Sequence, residues 1–224
     1  GQRVLHRRTP AGEWQAVEIY VNDEIFPMYT TNELILDNHR QNYKWIPYCR
    51  YNVGLLLLDD KGTMDCQDDQ TVFRSAWTET NGESISVESI YTGVQDKEGN
   101  IWLGTSGGII IIPIDVDFFT SDMCARIDIQ EDNGETPFVS KDIHSIEFDS
   151  KGRVWIGTET VGVYVLSADW QTIEAHYTTD NSPMPSNYVM SLAWDDVNDV
   201  MYIGTSKGIV SCTDQSTDLR DDTY

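Results

Sequence analysis

The groups in this chain that could do chemistry are its acids, four histidines and four cysteines, and their spacing argues against most catalytic arrangements. His6, His39, His144 and His176 lie far apart, so none falls at metal-ligand spacing from another. Cys49, Cys66, Cys124 and Cys212 include no Cys-x-x-Cys pair, which removes the usual signature of zinc or iron–sulfur sites. They are too scattered for a disulfide framework. Free, partly buried thiols are expected, with Cys49–Cys66 the one bridge an oxidising compartment would favour. A Gly-x-Ser-x-Gly nucleophile elbow is absent. Gly104-Thr-Ser-Gly-Gly108 comes near it, but the same Gly-Thr pair returns at Gly157-Thr158 and Gly204-Thr205. A motif present in every copy of a repeat is scaffold. No helix pattern follows it, so it is not a phosphate loop either.

The acids are more numerous than informative. Asp59-Asp60, Asp65, Asp68-Asp69 and Asp195-Asp196 have the oxygen chemistry calcium takes, but not the order of an EF-hand loop. Their expected role is in turns, where Asp side chains bond nearby amides. Glycoside hydrolysis needs two carboxyls converging across a cleft, and the sequence alone singles out no such pair. The expectation is no catalytic residue, no bound metal and no cofactor.

The elements that must position any site come from a repeat. The third copy runs Asp149-Ser-Lys-Gly-Arg-Val-Trp-Ile-Gly-Thr158 and then Val161-Gly-Val-Tyr-Val-Leu166. The second runs Asp96-Lys-Glu-Gly-Asn-Ile-Trp-Leu-Gly-Thr105 and then Gly108 to Ile112. The fourth runs from Asp196 through Tyr202-Ile-Gly-Thr205, and a degenerate first copy from Asp37 to Trp45-Ile46 and then Gly54 to Leu58. The anchors Trp45, Trp102, Trp155 and Tyr202 are separated by 57, 53 and 47 residues. Propeller blades, each a four-stranded antiparallel sheet, repeat at roughly 40–50 residues. The short apolar runs are rich in Ile, Val and aromatics, which is strand chemistry. The fold class is therefore all-β, a β-propeller with four blade units at about 21–80, 81–136, 137–182 and 183–214, all in one domain over 1–224. One blade cannot bury both faces of its sheet, so each Trp is expected between neighbouring sheets. Pro47-Tyr48 replaces Gly-Thr in the first copy, which predicts an irregular edge there.

The motif Asp-x-x-Gly-x-(Ile/Val)-Trp-(Ile/Leu)-Gly-Thr…Gly-(Ile/Val) resembles the two-component-regulator propeller repeat of Bacteroides-type bacteria. The stretch from His176 to Asn187, with Tyr202-Ile-Gly-Thr-Ser-Lys-Gly-Ile-Val210 and Gly54 to Asp65, resembles the second propeller of PorZ-type surface proteins of type IX secretion. The resemblance implies a periplasmic or cell-surface location. It also implies a role in signal transduction or secretion through ligand binding.

Charge bounds the partners. Lys and Arg number 15 against 37 Asp and Glu, a net −22. Such a chain is a poor ligand for nucleic acid, which needs basic patches, or for anionic membranes. The one basic cluster, Arg3 with His6-Arg7-Arg8, reads as a solvated strand or tail. No 18-residue apolar run is present to span a membrane.

Residues 1–20 read as two outer strands of a neighbouring or closing blade, and the last unit as lacking its outer strand. The chain thus reads as a segment of a longer protein, with Gly1 a tag remnant. Pairing of the spare strand near Glu13–Tyr20 with the last unit would close a small ring; the same pairing between copies would give a homodimer.

Propeller binding sites gather at one face, in loops joining one blade's outer strand to the next inner strand. Here these are Thr80–Ile85, Asp132–Asp142 and Thr179–Tyr188. Loops on a rigid scaffold carry function, which makes Lys141, His144, Asn187 and Tyr188 the candidate binding residues. The expected function is non-catalytic, binding protein or polysaccharide as a PorZ-like surface component. The alternatives are a glycan-binding sensor segment of a hybrid two-component system and a propeller-based polysaccharide-active enzyme.

Overall fold

The third unit is a complete four-stranded blade, with the motif runs Asp149–Thr158 and Val161–Leu166 falling on its turns and middle strands. Ile143–Phe148, Val154–Thr158, Val163–Leu166 and Ile173–Tyr177 form one antiparallel sheet in chain order. The computed structural model describes residues 5–27, 30–127, 129–130, 136–139, 141–213 and 219–220. Blade 1 pairs Tyr43–Arg50, Gly54–Asp59 and Gln70–Arg74. Blade 2 pairs Ile90–Gln95, Ile101–Thr105 and Gly108–Ile112. Blade 4 pairs Val189–Asp195, Val200–Thr205, Gly208–Thr213 and Leu219–Arg220. No helix occurs among the described residues, so none is long and apolar enough to cross a membrane.

Strand alternation sends successive side chains to opposite faces, and blades 1, 2 and 3 bury both. Leu55, Leu57 and Trp45 meet Ile101, Leu103, Ile110 and Ile112 between blades 1 and 2. Trp102, Ile109 and Ile111 meet Val154, Ile156 and Leu166 between blades 2 and 3. Trp155, Val163 and Val165 meet Met201, Ile203 and Val210 between blades 3 and 4. The three tryptophans thus lie in the inter-sheet layers, as expected. Burying one stabilises by roughly 4–6 kcal/mol before entropy is counted. The fourth anchor, Tyr202, lies on the face of blade 4 away from Met201 and Ile203 and is 41% exposed.

In the first three repeats the Asp has a definite task. Asp149 lies below its Trp and accepts Trp155 Nε1 at 2.9 Å, the amides of Lys151 and Arg153 at 3.0 Å, and Arg153 Nε at 2.6 Å. Asp96 accepts Trp102 Nε1 at 2.8 Å and the Asn100 amide at 2.8 Å. Asp37 does the same for Trp45 at 2.9 Å, across a turn two residues longer. Burial opposes ionisation of Asp37. Hydrogen bonds from Gln95, Trp45 and the Arg40 and His39 amides outweigh it and hold the carboxyl at about 2. In blades 2 and 3 the Gly before the repeat Thr admits the next blade: a Cβ on Gly104 would stand 2.6 Å from the carbonyl oxygen of Ile143, and one on Gly157 2.6 Å from Val189 Cγ1. The Thr itself closes the following turn, as Thr105 Oγ1 to Gly108 O at 2.7 Å and Thr158 Oγ1 to Gly162 O at 2.8 Å.

Several expectations are corrected. The N-terminal strand does not complete the last blade. Leu5–Arg8 pairs with Trp14–Val17 as a separate hairpin, and Leu219–Arg220 takes the free edge of Gly208–Thr213. The hairpin is tied instead to blade 1 through Arg7–Asp69 at 2.7 Å. This gives Arg7 of the basic cluster a structural partner. Thr80–Ile85 is not a simple connecting loop: it spans the turn of an added hairpin, Ala76–Glu79 with Ser84–Ser86, which also pairs in parallel with Met123–Cys124. Its Trp77 is fully buried in the layer between blades 1 and 2. Of the loop Asp132–Asp142, residues 132–135 and 140 lie outside the described residues.

The irregular edge predicted at Pro47 falls on one side only. Tyr43–Arg50 pairs without a break with Gly54–Asp59. Its other neighbour is split into Thr30–Thr31, reaching Arg50 and Tyr48, and Ile35–Leu36, reaching Trp45 and Lys44. Pro47 sits in the gap between them, where a residue without an N–H cannot extend a ladder.

The acids of 59–69 are engaged by the chain itself. Asp59 pairs with Lys61 and Asp60 with Lys44, both at 2.5 Å, and Asp68 accepts Thr63 Oγ1 at 2.9 Å. All four cysteines are free, so the Cys49–Cys66 bridge is not formed. Cys49, Cys124 and Cys212 are buried and Cys66 is half-exposed; burial pushes the Cys124 thiol up to about 11. Since the thiolate is the reactive form, one equivalent of an aromatic disulfide reagent should react with the native chain, at Cys66. Three more should react only after unfolding, which a thiol titration with and without denaturant checks.

Candidate functional site

The inner strands of blades 2, 3 and 4 all carry a bulge at the same place. Ile90 pairs with Thr105 and Thr92 with Gly104, leaving Tyr91 out of the ladder. His144 is left out between Ile143 and Ser145, and Met190 between Val189 and Ser191. Bulges re-aim side chains and gather near functional sites. Here they line up three neighbouring blades at the start of their inner strands.

The side chains form a row. The His144 ring stacks on Tyr91, centroids 4.2 Å apart and planes 13° apart, and meets the edge of Tyr188 at 5.2 Å and 77°. All three are half-buried and Met190 is 57% exposed. His144 Nε2 is buried with no hydrogen-bond partner among the described residues. Burial lowers the imidazole below its usual value, with Asp142 acting the other way. The ring is therefore neutral at pH 7, with one nitrogen still unsatisfied.

A carboxyl pair flanks the row. Tyr91 Oη donates to Asp142 Oδ1 at 3.3 Å, and Glu159 N donates to the Asp142 carbonyl at 3.0 Å. A side-chain hydrogen bond with Asp142 raises the Glu159 carboxyl, with burial adding to the effect. Burial raises Tyr91, and the Asp142 charge adds to it. The Asp142 and Glu159 carboxyls lie near enough to interact, and carboxylate oxygens accept hydroxyl groups.

Of the four residues marked from the sequence, His144 and Tyr188 lie together in this row. Lys141, half-buried, precedes the same strand. Asn187 is spent on its own loop: Oδ1 accepts the Thr179 amide at 2.7 Å and its carbonyl accepts Gly162 N at 3.1 Å. That loop is braced further by Asn181 Nδ2 to His176 O at 2.8 Å and by Ser186 Oγ to Ser206 Oγ at 2.9 Å. Sequence reasoning missed Tyr91, Met190, Asp142 and Glu159. Aligning Ile90-Tyr-Thr92, Ile143-His-Ser145 and Val189-Met-Ser191 on the Gly-Thr pairs would have found the first two.

With this geometry in view, the comparisons fall into place. Residues 137–160, in blade 3, match the family model "Two component regulator propeller". No curated protein matches the sequence significantly. Among solved structures it is similar to PorZ, an essential surface component of the type-IX secretion system of Porphyromonas gingivalis. That match has 25% identity and a TM-score of 0.77, over 91% of this chain and 28% of that one. It is also similar to the extracellular domains of two proteins from B. thetaiotaomicron described as hybrid two-component systems. One has 22% identity and a TM-score of 0.58, covering 87% of this chain and 22% of that one. The other has 18% identity and a TM-score of 0.62, covering 84% and 24%. The chain thus spans about a quarter of the length of these proteins.

Proposed function

We propose that this chain is a non-catalytic, extracytoplasmic propeller segment that binds its partner, a polysaccharide or a protein, along the Tyr91–His144–Tyr188 row. The observation that carries the reading is the row itself. Bulges on adjacent blades present stacked rings with an unsatisfied His144 nitrogen beside a carboxyl pair. Aromatic faces and hydroxyl-accepting carboxyls suit a neutral saccharide. A net charge of −22 disfavours polyanions. The likeness to PorZ supports a cell-surface, secretion-associated role. The repeat model and the extracellular sensor domains support a second reading, a periplasmic sensor segment of a two-component system. The full-length gene separates them: a membrane helix and kinase downstream favours the sensor, a small C-terminal β-domain the PorZ-like protein.

The binding test is calorimetric titration with a panel of neutral hexose and N-acetylhexosamine oligosaccharides. At least one should bind, and the Tyr91→Ala/His144→Ala double variant should weaken it by about tenfold or more, as loss of two aromatic contacts implies. An unchanged affinity in that variant, or hydrolysis of the oligosaccharide, would overturn the reading.

A further inference from the structure

The layer between blades 2 and 3 opens into a cavity of about 260 Å³ at the end of the inner strands away from the row, between the turns Asp96–Gly99 and Asp149–Gly152. Register decides which side chains can face it. Val94 pairs with Trp102 and Phe148 with Val154, so both lie on the faces that blades 2 and 3 turn to each other. Trp170 completes this apolar wall. Glu147 pairs with Trp155 and points the other way, to the blade 4 side, where Asp196 and Glu33 are its charged neighbours.

The backbone at Trp170 is the telling feature. In the turns Thr9–Gly12, Glu79–Gly82, Asp96–Gly99 and Asp149–Gly152, the fourth residue donates its amide to the carbonyl of the first. Each of those fourth residues is Gly, with φ of 91°, 87°, 96° and 77°. Ser167–Trp170 makes the same bond at 2.9 Å, although its closing bond, Ser167 N to Thr172 O, spans one residue more. Here the left-handed position, at φ 61°, is filled by tryptophan, against the steric preference of a bulky side chain. Trp170 and Phe148 both stand near-perpendicular to Trp102, at centroid distances of 4.7 and 5.5 Å. Trp102 is fully buried, whereas Trp170 and Phe148 are half-buried. Their remaining surface is the aromatic wall of the cavity.

The charges at the rim favour one sign of ligand. Lys97 reaches across the blade seam: its Nζ lies 3.0 Å from where a Cβ on Gly152 would stand. Its contact with Glu98 is an exposed pair at 3.7 Å, of little strength. Lys151, on the facing turn, lines the cavity too. Asp149, also at the wall, has no solvent exposure and is committed to Arg153 and Trp155. The cavity thus sets an ammonium beside an aromatic wall and has no uncommitted buried acid to receive a cation. The net −22 of the whole chain acts only weakly here, because exposed charges are screened beyond about 8 Å at physiological salt.

We propose that this cavity binds a small monoanion with an apolar ring, in the class of aryl carboxylates. The ligand carboxylate meets Lys97 Nζ, and its ring lies against Trp170 and Phe148. A ligand of about ten heavy atoms should bind with a dissociation constant on the order of 1 mM.

The test compares phenylacetate, its neutral amide phenylacetamide and the cation phenethylamine by saturation-transfer NMR and calorimetry on the intact chain. Phenylacetate should bind, and the other two about fivefold more weakly or worse, since only the carboxylate makes a charge-assisted bond. Lys97→Gln, at an exposed side chain with no part in the fold's core, should bring phenylacetate down to the phenylacetamide level and leave phenylacetamide unchanged. Lys207→Gln makes the same charge change in the Thr205–Gly208 turn of blade 4 and should leave phenylacetate binding as it was. Trp170→Gly, which installs the residue the other four turns carry, should abolish binding of all three ligands. No phenylacetate signal at ~10 mM would overturn the proposal, since that lies well above the expected constant. So would phenylacetamide or phenethylamine binding as tightly as phenylacetate, or equal responses to Lys97→Gln and Lys207→Gln.

Discussion

Asp149→Ala is expected to lower the stability of the chain by about 3–5 kcal/mol, because it removes the acceptor of the Trp155 ring N–H, two amides and Arg153 Nε in a dry setting. The Asp149 side chain has no solvent exposure and Arg153 little. It accepts four hydrogen bonds, from Trp155 Nε1, Arg153 Nε and two amides. Arg153 also lies over the Trp155 ring at 5.7 Å, so releasing it loosens the aromatic as well. Asn at the same place keeps one acceptor but turns an amide toward the guanidinium, and about 1–3 kcal/mol is expected. The internal control is Asp195 in blade 4. Among the described residues it bonds Asn198 Nδ2 and the Val197 and Asn198 amides, in an exposed turn, and Asp195→Ala should cost under about 1 kcal/mol. Urea unfolding followed by near-ultraviolet dichroism checks all three; equal costs at Asp149 and Asp195 would refute the clasp.

The second large effect separates equivalent positions of the repeat. Trp102→Ala should destabilise by about 3–5 kcal/mol, since the ring is fully buried between blades 2 and 3. Tyr202→Ala, at the same repeat position, should cost under about 1 kcal/mol, because that ring is 41% exposed on the open face of blade 4. The same urea titrations measure the pair. A cost at Tyr202 matching that at Trp102 would mean that the far face of blade 4 is covered in solution.

These contrasts also show what the sequence could reveal. The four strands of blade 3 and the inter-sheet place of Trp45, Trp102 and Trp155 were legible because period-2 alternation and the Asp–Trp–Gly-Thr motif are local. The hairpin carrying Trp77 was not, because it interrupts the repeat and its partner strand Met123–Cys124 is distant in the chain. Closure of the last blade by the N-terminal strand failed as an inference because edge pairing is a tertiary choice: any exposed edge accepts any strand. At the candidate site, His144 and Tyr188 were marked from loop position alone. Their contact with Tyr91 depends on bulges in adjacent blades, and the Asp142–Glu159 pair depends on two segments of blade 3 meeting across a turn. Neither leaves a spacing that a single chain displays. Asn187 looked available because Asn favours loops; for that same reason its side chain is consumed by the loop.

The most direct test of the binding reading is residue-resolved NMR of the chain with the neutral oligosaccharide panel. The account predicts that a binding oligosaccharide shifts the resonances of Tyr91, His144, Tyr188 and Met190 together, with the oligosaccharide recovered intact. Shifts confined to other faces of the blades, or an oligosaccharide cleaved during the titration, would contradict it.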